Sequence, residues 1–436
     1  MSMKKQGATL FFCFIFVDFL LLKFYNLKYS FINGVISMLT IDKIYDASNV
    51  LKAIARHTDM IQAPRMTDKC DLYLKTENLQ LTGSFKLRGA YYKISRLSEE
   101  EKSHGVIACS AGNHAQGVAL AATHSGIKSV ICLPEGAPIS KVEATKKYGA
   151  EVCMVKGVYD DAYNRAIELR DEKGYTFIHP FNDPDVIAGQ GTIGLEIIEQ
   201  LPDVDAVIVP IGGGGLIAGV AYLIKHLRPQ CKVYGVQAAG APSMYNSIHD
   251  GEIETLPSVN TIADGIKVKT PGDLTYELCK KYVDEIVTVT DDEVAAAILR
   301  LMEQQKLVSE GAGAVPVAAV LFDKIPEIKG KKVCCVVSGG NIDVNILSRV
   351  IERGLKMNGR TANITIALSD KPGQLATVSA LIADCGANVV SVSYSSTELD
   401  MNITDCFLNL SIETRDFDHI EHIKHALTDA GFDVII

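Results

Sequence analysis

Lys86 lies in TENLQLTGSFKLRGA, residues 76 to 90, where a polar, glycine-containing turn runs into a helix. An amine held there can form an imine with an aldehyde cofactor, and desolvation can lower its pKa. Taken singly, a lysine in a first helical turn is ordinarily a solvated surface group. A second element is SAGNHAQG, residues 110 to 117, after the apolar run GVIACS. Its small residues let backbone amides turn toward an anion at a helix start, and Asn113 and His114 add side-chain hydrogen bonds. A plain strand-to-helix turn capped by Asn113 is the competing reading.

The third element is more specific. Gly212, Gly213, Gly214 and Gly215 close the apolar run AVIVPI and open LIAGVAYLI. Four unobstructed N–H donors at the positive end of a helix suit a phosphate group. Neither a G-x-G-x-x-G dinucleotide turn nor a G-x-x-x-x-G-K-[ST] loop is present, because Leu216, Ile217 and Ala218 follow. The fourth is VVSGGN, residues 336 to 341, whose Ser338 could share one hydrogen bond with a buried heteroaromatic nitrogen.

These segments need elements that aim them at one place. From about residue 70 to 350, DLYLKTE, GVIACS, SVICLP, EVCMVKG, TFIHP, AVIVPIGGGG, KVYGVQA and KKVCCVVSGGN read as buried strands, with amphipathic stretches such as VEATKKYGA between them. That alternation predicts an α/β architecture with mainly parallel sheets and a site at the carboxyl ends of strands. The last seventy or so residues differ. ANITIALSD, a helix from about Gly373 to Cys385, NVVSVSYSS, DCFLNLSIETRD, a helix near Asp418 to Ala430 and FDVII give the β-α-β-β-α-β plan of a ferredoxin-like α+β domain. The expected organisation is an extension over 1–37, a catalytic domain over 38–355, a linker over 356–361 and a second domain over 362–436.

The 436 residues carry a net charge of −9, which argues against nucleic acid or an anionic membrane as partner. Small molecules are expected instead. The eleven cysteines show no C-x-x-C spacing and no Cys/His cluster, so they read as reduced thiols of a cytoplasmic protein. Residues 1–37 imitate a secretory signal, with basic Met1 to Lys5 and apolar Leu10 to Leu22. Asp18 interrupts that run, no small-residue cleavage site follows, and the run is too short to span a bilayer. Met38 precedes the first globular helix pattern, so 1–37 reads as an upstream extension, with an uncleaved membrane anchor as the alternative.

In this order, SFKLRGA, SAGNHAQG, GGGGLIAG and VVSGGN resemble the threonine dehydratase and serine racemase group of pyridoxal-phosphate enzymes, with a two-lobed tryptophan-synthase-β-like fold, over roughly residues 40 to 350. The resemblance implies a Schiff base between Lys86 and pyridoxal 5′-phosphate, with Phe85 beside it. It implies that Asn113 bonds the ring hydroxyl, that Gly212 to Gly215 hold the phosphate and that Ser338 faces the pyridine nitrogen. The loop of Ser110, Ala111, Gly112, Asn113 and His114 would grip the substrate carboxylate. The implied reaction is deaminating dehydration of threonine to 2-oxobutanoate and ammonia, and of serine to pyruvate, with Lys86 as general base.

Two positions discriminate within the group. Serine racemases place a second, opposite-face acid/base serine where Ala111 stands, so dehydratase activity with little racemisation is expected. Their divalent-metal site would fall near Gln237 and Ser243, and with carboxylates absent at both no such metal is expected. The C-terminal domain resembles an ACT module that binds amino acids, on the strength of SDKPGQL, residues 369 to 375. The resemblance implies a homodimer or homotetramer with an amino-acid effector. Isoleucine inhibition would suit a role in isoleucine biosynthesis, and nucleotide activation a catabolic one.

Overall fold

The computed structural model describes residues 39–395 and 405–435. The expectation for residues 1–37 lies outside them. The described chain divides into two compact units, one running through Asp291 and resuming at Leu307–Ile342, the other comprising Asp292–Lys306 and the residues from Asp343 onward.

The first unit contains two sheets. The larger has six strands, ordered Met60–Gln62, Asp71–Lys75, Lys332–Val336, Ala206–Pro210, Lys232–Ala238 and Glu285–Val289, all parallel except the antiparallel edge strand Met60–Gln62. The smaller is a four-stranded parallel sheet ordered Glu151–Val155, Ser129–Pro134, Val106–Cys109 and Thr176–Phe177. Central strands such as Ala206–Pro210 and Val106–Cys109 are buried at every residue. Helices cover both faces of such a sheet, which is why these strands read as unbroken apolar runs and not as alternations.

Helix Lys86–Ser95 is positioned by three neighbours. Leu87, Ala90 and Ile94 are buried with Ala115, Val118 and Ala119 of helix Asn113–His124. Full burial of each Leu or Ile there contributes about 1.5–3 kcal/mol. On its other side the helix crosses helix Pro184–Gln200 at a glycine pair, where a Cβ on Gly89 would sit 2.7 Å from Val186 O and one on Gly189 2.7 Å from Arg88 O. Any side chain at that crossing would push the lysine-bearing helix outward.

Beneath the same helix lies a closed polar cluster. The Arg88 guanidinium donates to Glu77 from Nε and Nη2, both at 2.8 Å, and to Glu196 Oε1 at 2.6 Å. Lys75 Nζ donates to Glu196 Oε2 at 2.5 Å. Two cations meet two carboxylates, so burial leaves no net charge. Burial pushes the Glu196 carboxyl up, but Arg88 and Lys75 outweigh it and hold the group below the usual carboxylate range.

The second unit holds an antiparallel sheet ordered Asn388–Ser395, Asp405–Glu413, Thr361–Ser369 and Asp433–Ile435, with helices Gln374–Asp384 and Phe417–Asp429. That is the ferredoxin-like order, built on a core of Ile364, Ile366, Val378, Leu408, Leu410 and Ile423. Helices Asp291–Arg300 and Val344–Met357 also meet in this unit, where a Cβ on Gly354 would lie 3.0 Å from Ala295 O. Among the described residues no helix is long and apolar enough to cross a membrane.

Candidate active site

The segments around Lys86 and Ser338, more than two hundred residues apart in sequence, are zipped together by backbone bonds. Phe85 N donates to Ser338 O at 3.1 Å, Gly340 N to Gly83 O at 2.9 Å and Asn78 N to Val337 O at 2.8 Å, and Ser84 bridges Gly339. Phe85 is the residue immediately before helix Lys86–Ser95, so Lys86 opens that helix where the two segments meet. Its Nζ donates to Pro180 O at 2.8 Å. Burial pushes the amine down to about 8, with the Glu310 carboxylate pulling the other way.

Pro180 belongs to a loop that also walls the glycine run. A Cβ on Gly213 would come within 2.4 Å of the Phe181 ring, and one on Gly215 within 2.8 Å of Phe181 Cα. Gly214 has φ +96°, which favours glycine on backbone grounds alone. Thr275 Oγ1 donates to Gly213 O at 2.5 Å. Helix Gly215–Leu227 starts here, and among the described residues the amides of Gly212 to Gly215 donate to no backbone or side-chain acceptor. Buried amides are normally paired, so consecutive unpaired donors at a helix start mark a place for an anion.

The Ser110–His114 turn leads from strand Val106–Cys109 into helix Asn113–His124. Ser110 Oγ accepts from Gly112 N at 3.2 Å. Ala111, Gly112 and Asn113 are half-buried. His114 faces inward, its Nε2 2.8 Å from Ile178 O, and burial pushes the imidazole down to about 3. A neutral ring donating from Nε2 fits that contact, so the His114 side chain is engaged with the carbonyl of Ile178.

Four residues that the sequence did not single out complete the site. Glu310 Oε1 accepts from Asn113 Nδ2 at 2.6 Å, and Asn341 Nδ2 donates to Asn113 Oδ1 at 2.8 Å. Burial pushes the Glu310 carboxyl up to about 7, with Lys141, the Asn113 hydrogen bond and Lys86 pulling it down. Phe181 and Thr275 shape the glycine loop, as described above. Elsewhere, the Gln237 carboxamide is taken up by Tyr245 N and Ile211 O, and Ser243 Oγ is buried with no partner among the described residues.

Residues 51–339 match the family described as pyridoxal-phosphate dependent enzyme. The chain belongs to that family. Among members of this pyridoxal-phosphate dependent family, the L-threonine ammonia-lyase of Thermotoga maritima is 50% identical over 401 residues, 92% of this chain and 100% of its own length. The processed threonine deaminase isoform 2 of Solanum lycopersicum has a TM-score of 0.69 at 38% identity, covering 72% of this chain and 94% of that one. Maize serine racemase has a TM-score of 0.69 at 36% identity, over 73% of this chain and 98% of that one. The residues present fit pyridoxal phosphate: unpaired amides from Gly212 to Gly215 suit its phosphate, and a primary amine at Lys86, its pKa lowered by burial, suits its aldehyde.

Proposed function

We propose that this chain is an ammonia-lyase converting threonine to 2-oxobutanoate and ammonia, and serine to pyruvate and ammonia. The observation that carries the reading is the convergence of the Lys86 amine and the unpaired Gly212–Gly215 amides on one loop, Pro180–Phe181. Pyridoxal phosphate, when bound, supplies an aldehyde for a Schiff base and a ring that delocalises negative charge. Lys86 would hold it covalently beside Phe85, Gly212 to Gly215 would hold its phosphate, Asn113 its ring hydroxyl and Ser338 its ring nitrogen.

The substrate carboxylate lies against the Ser110–His114 turn, whose backbone amides orient it. That fixes Cα relative to Lys86 Nζ, which is freed when the substrate amine replaces it on the cofactor and then takes the Cα proton as general base. An amine brought down to about 8 is neutral in a useful fraction near physiological pH, where an ordinary lysine is almost wholly protonated. The β-hydroxyl then takes up a proton and departs as water, and the released enamino acid is hydrolysed by water to the 2-oxo acid and ammonia. Ala111 has no proton to give, so the opposite face of Cα stays without an acid and racemisation is minor. Serine and threonine differ by one methyl group, worth about 1–3 kcal/mol in an apolar pocket, so both are turned over.

In the same reading, residues 38–355 form the catalytic part of a cytoplasmic homodimer or homotetramer. Residues 362–436 bind an amino-acid effector at the turn before helix Gln374–Asp384, where Gly373 stands at φ +94°. Ferredoxin-like order and the Pro372–Gly373 turn support this assignment. A steady-state assay of ammonia and 2-oxo acid formation from threonine and serine, with and without isoleucine, valine and AMP, tests both parts. Cofactor-loaded protein that turns over neither substrate overturns the lyase reading; identical rates with all three additions overturn the effector reading.

A further inference from the structure

The Asn113 carboxamide is held from both ends by groups distant in sequence. Asn341 Nδ2 donates to Thr82 O at 2.7 Å and to Asn113 Oδ1 at 2.8 Å. A backbone carbonyl can only accept, so the Asn341 atom facing Thr82 must be nitrogen, and both of its protons are then used. The Asn113 atom facing Asn341 must therefore be oxygen, which makes its other terminal atom Nδ2. One Nδ2 proton goes to Glu310 Oε1 at 2.6 Å. Among the described residues the second meets no acceptor. Hydrogen-bond satisfaction thus fixes the sense of this amide.

Two glycines keep room for the relay. A Cβ on Gly83, itself at φ +68°, would lie 2.4 Å from Asn341 Oδ1, and a Cβ on Gly339 would lie 2.6 Å from Glu310 Oε1. The glycines of GSFK and SGGN therefore admit the two side chains that grip Asn113. Glu310 is anchored in turn, since its amide donates to Gly339 O at 3.0 Å.

We infer that Glu310 and Asn341 are positioning residues that lock Asn113 with one N–H turned into the site, as donor to the ring hydroxyl of bound pyridoxal phosphate. The inference rests on the assignment of Asn113 under Proposed function. An anionic acceptor polarises the shared amide more than a neutral one. Burial brings Glu310 up to about 7, so the relay carries its full charge above that pH and loses it below.

The test uses the full-length holoenzyme and the variants Glu310→Ala, Glu310→Gln, Asn113→Ala and Glu310→Ala/Asn113→Ala, with thermal unfolding followed alongside. The readouts are the dissociation constant of pyridoxal phosphate and the visible absorption of the bound cofactor between pH 6 and 9. Asn113→Ala and Glu310→Ala are each expected to weaken cofactor binding roughly 10-fold, the scale of one hydrogen bond to a charged group. The double variant should bind no more weakly than Asn113→Ala. Glu310→Gln keeps an acceptor oxygen and should hold the cofactor within about 3-fold of wild type, yet lose the spectral transition near pH 7. Losses that multiply in the double variant, or Glu310→Gln that binds as poorly as Glu310→Ala with its transition intact, overturn the inference. Undiminished affinity in Asn113→Ala instead overturns the assignment of Asn113 itself, which separates the two failures.

Discussion

Lys86 Nζ donates to the carbonyl oxygen of Pro180 across 2.8 Å, and the next residue, Phe181, packs over the glycine loop. One loop therefore reports on both ends of the proposed cofactor site. Lys86→Ala should abolish the visible absorption of the Schiff base and cut turnover by about 10³-fold, in the range for removal of a general base. The wild-type amine is basic only when deprotonated, so with its pKa down to about 8 the turnover rate should rise with pH and level off above about 8. A pH–rate profile from 6 to 9.5 checks this; a rate that falls across that interval contradicts Lys86 as the base.

Ala111 sits half-buried between Ser110 and Gly112 in the turn that precedes helix Asn113–His124. A hydroxyl at this position would supply the proton donor that the opposite face of Cα lacks. Ala111→Ser is expected to raise D-serine formation from L-serine about 100-fold, the lower end of the range for an added acid–base group. Chiral chromatography of the reaction mixture reads the ratio of D-serine to pyruvate. Rapid D-serine formation by the unsubstituted chain would show that the second face is served from elsewhere.

The strand runs and glycine turns were legible because they obey local rules: buried parallel strands are continuous apolar runs, and consecutive glycines follow one of them. Met60–Gln62 and Glu285–Val289 were not singled out, being edge strands with polar or half-exposed residues that blur the pattern. Glu310 was illegible for a different reason. A single carboxylate in LVSEGAGAV has no spacing partner, and its role depends on Gly339 and Asn113 arriving from elsewhere. His114 shows the reverse case. Its side chain looked available, but the helix turns it inward to Ile178 O.

Gly213→Ala separates a phosphate cradle from a plain turn. The added Cβ would lie 2.4 Å from three atoms of the Phe181 ring, so the ring must move or the loop must open. Either response displaces neighbouring amides, and the dissociation constant for pyridoxal phosphate should rise at least ~10-fold, about the worth of one hydrogen bond to a charged oxygen. Gly136→Ala is the matched control, because among the described residues nothing lies within 4 Å of its Cβ position. Equal affinities in the two variants would mean that the glycine loop does not hold the phosphate.

Arg88 is two residues from Lys86 on the same helix, 1% exposed, and it bridges Glu77 and Glu196. Replacing it with leucine removes the cation but leaves Glu77 buried beside the site helix. Breaking such a pair from one side costs about 3–5 kcal/mol. The pH dependence follows from the sign of the shift. In Arg88→Leu the abandoned Glu77 carboxylate should have a raised folded-state pKa, while Glu196 keeps Lys75, so the folded form binds more protons than the unfolded chain in that window. The variant's stability deficit should therefore be largest near pH 8 and narrow toward pH 5. The chain has no tryptophan, so urea unfolding followed by far-ultraviolet circular dichroism at the two pH values is the appropriate measurement. Glu77→Leu/Arg88→Leu should recover part of the loss by removing the buried charge. A deficit that is the same at both pH values would mean that Arg88 acts through packing and not through its charge.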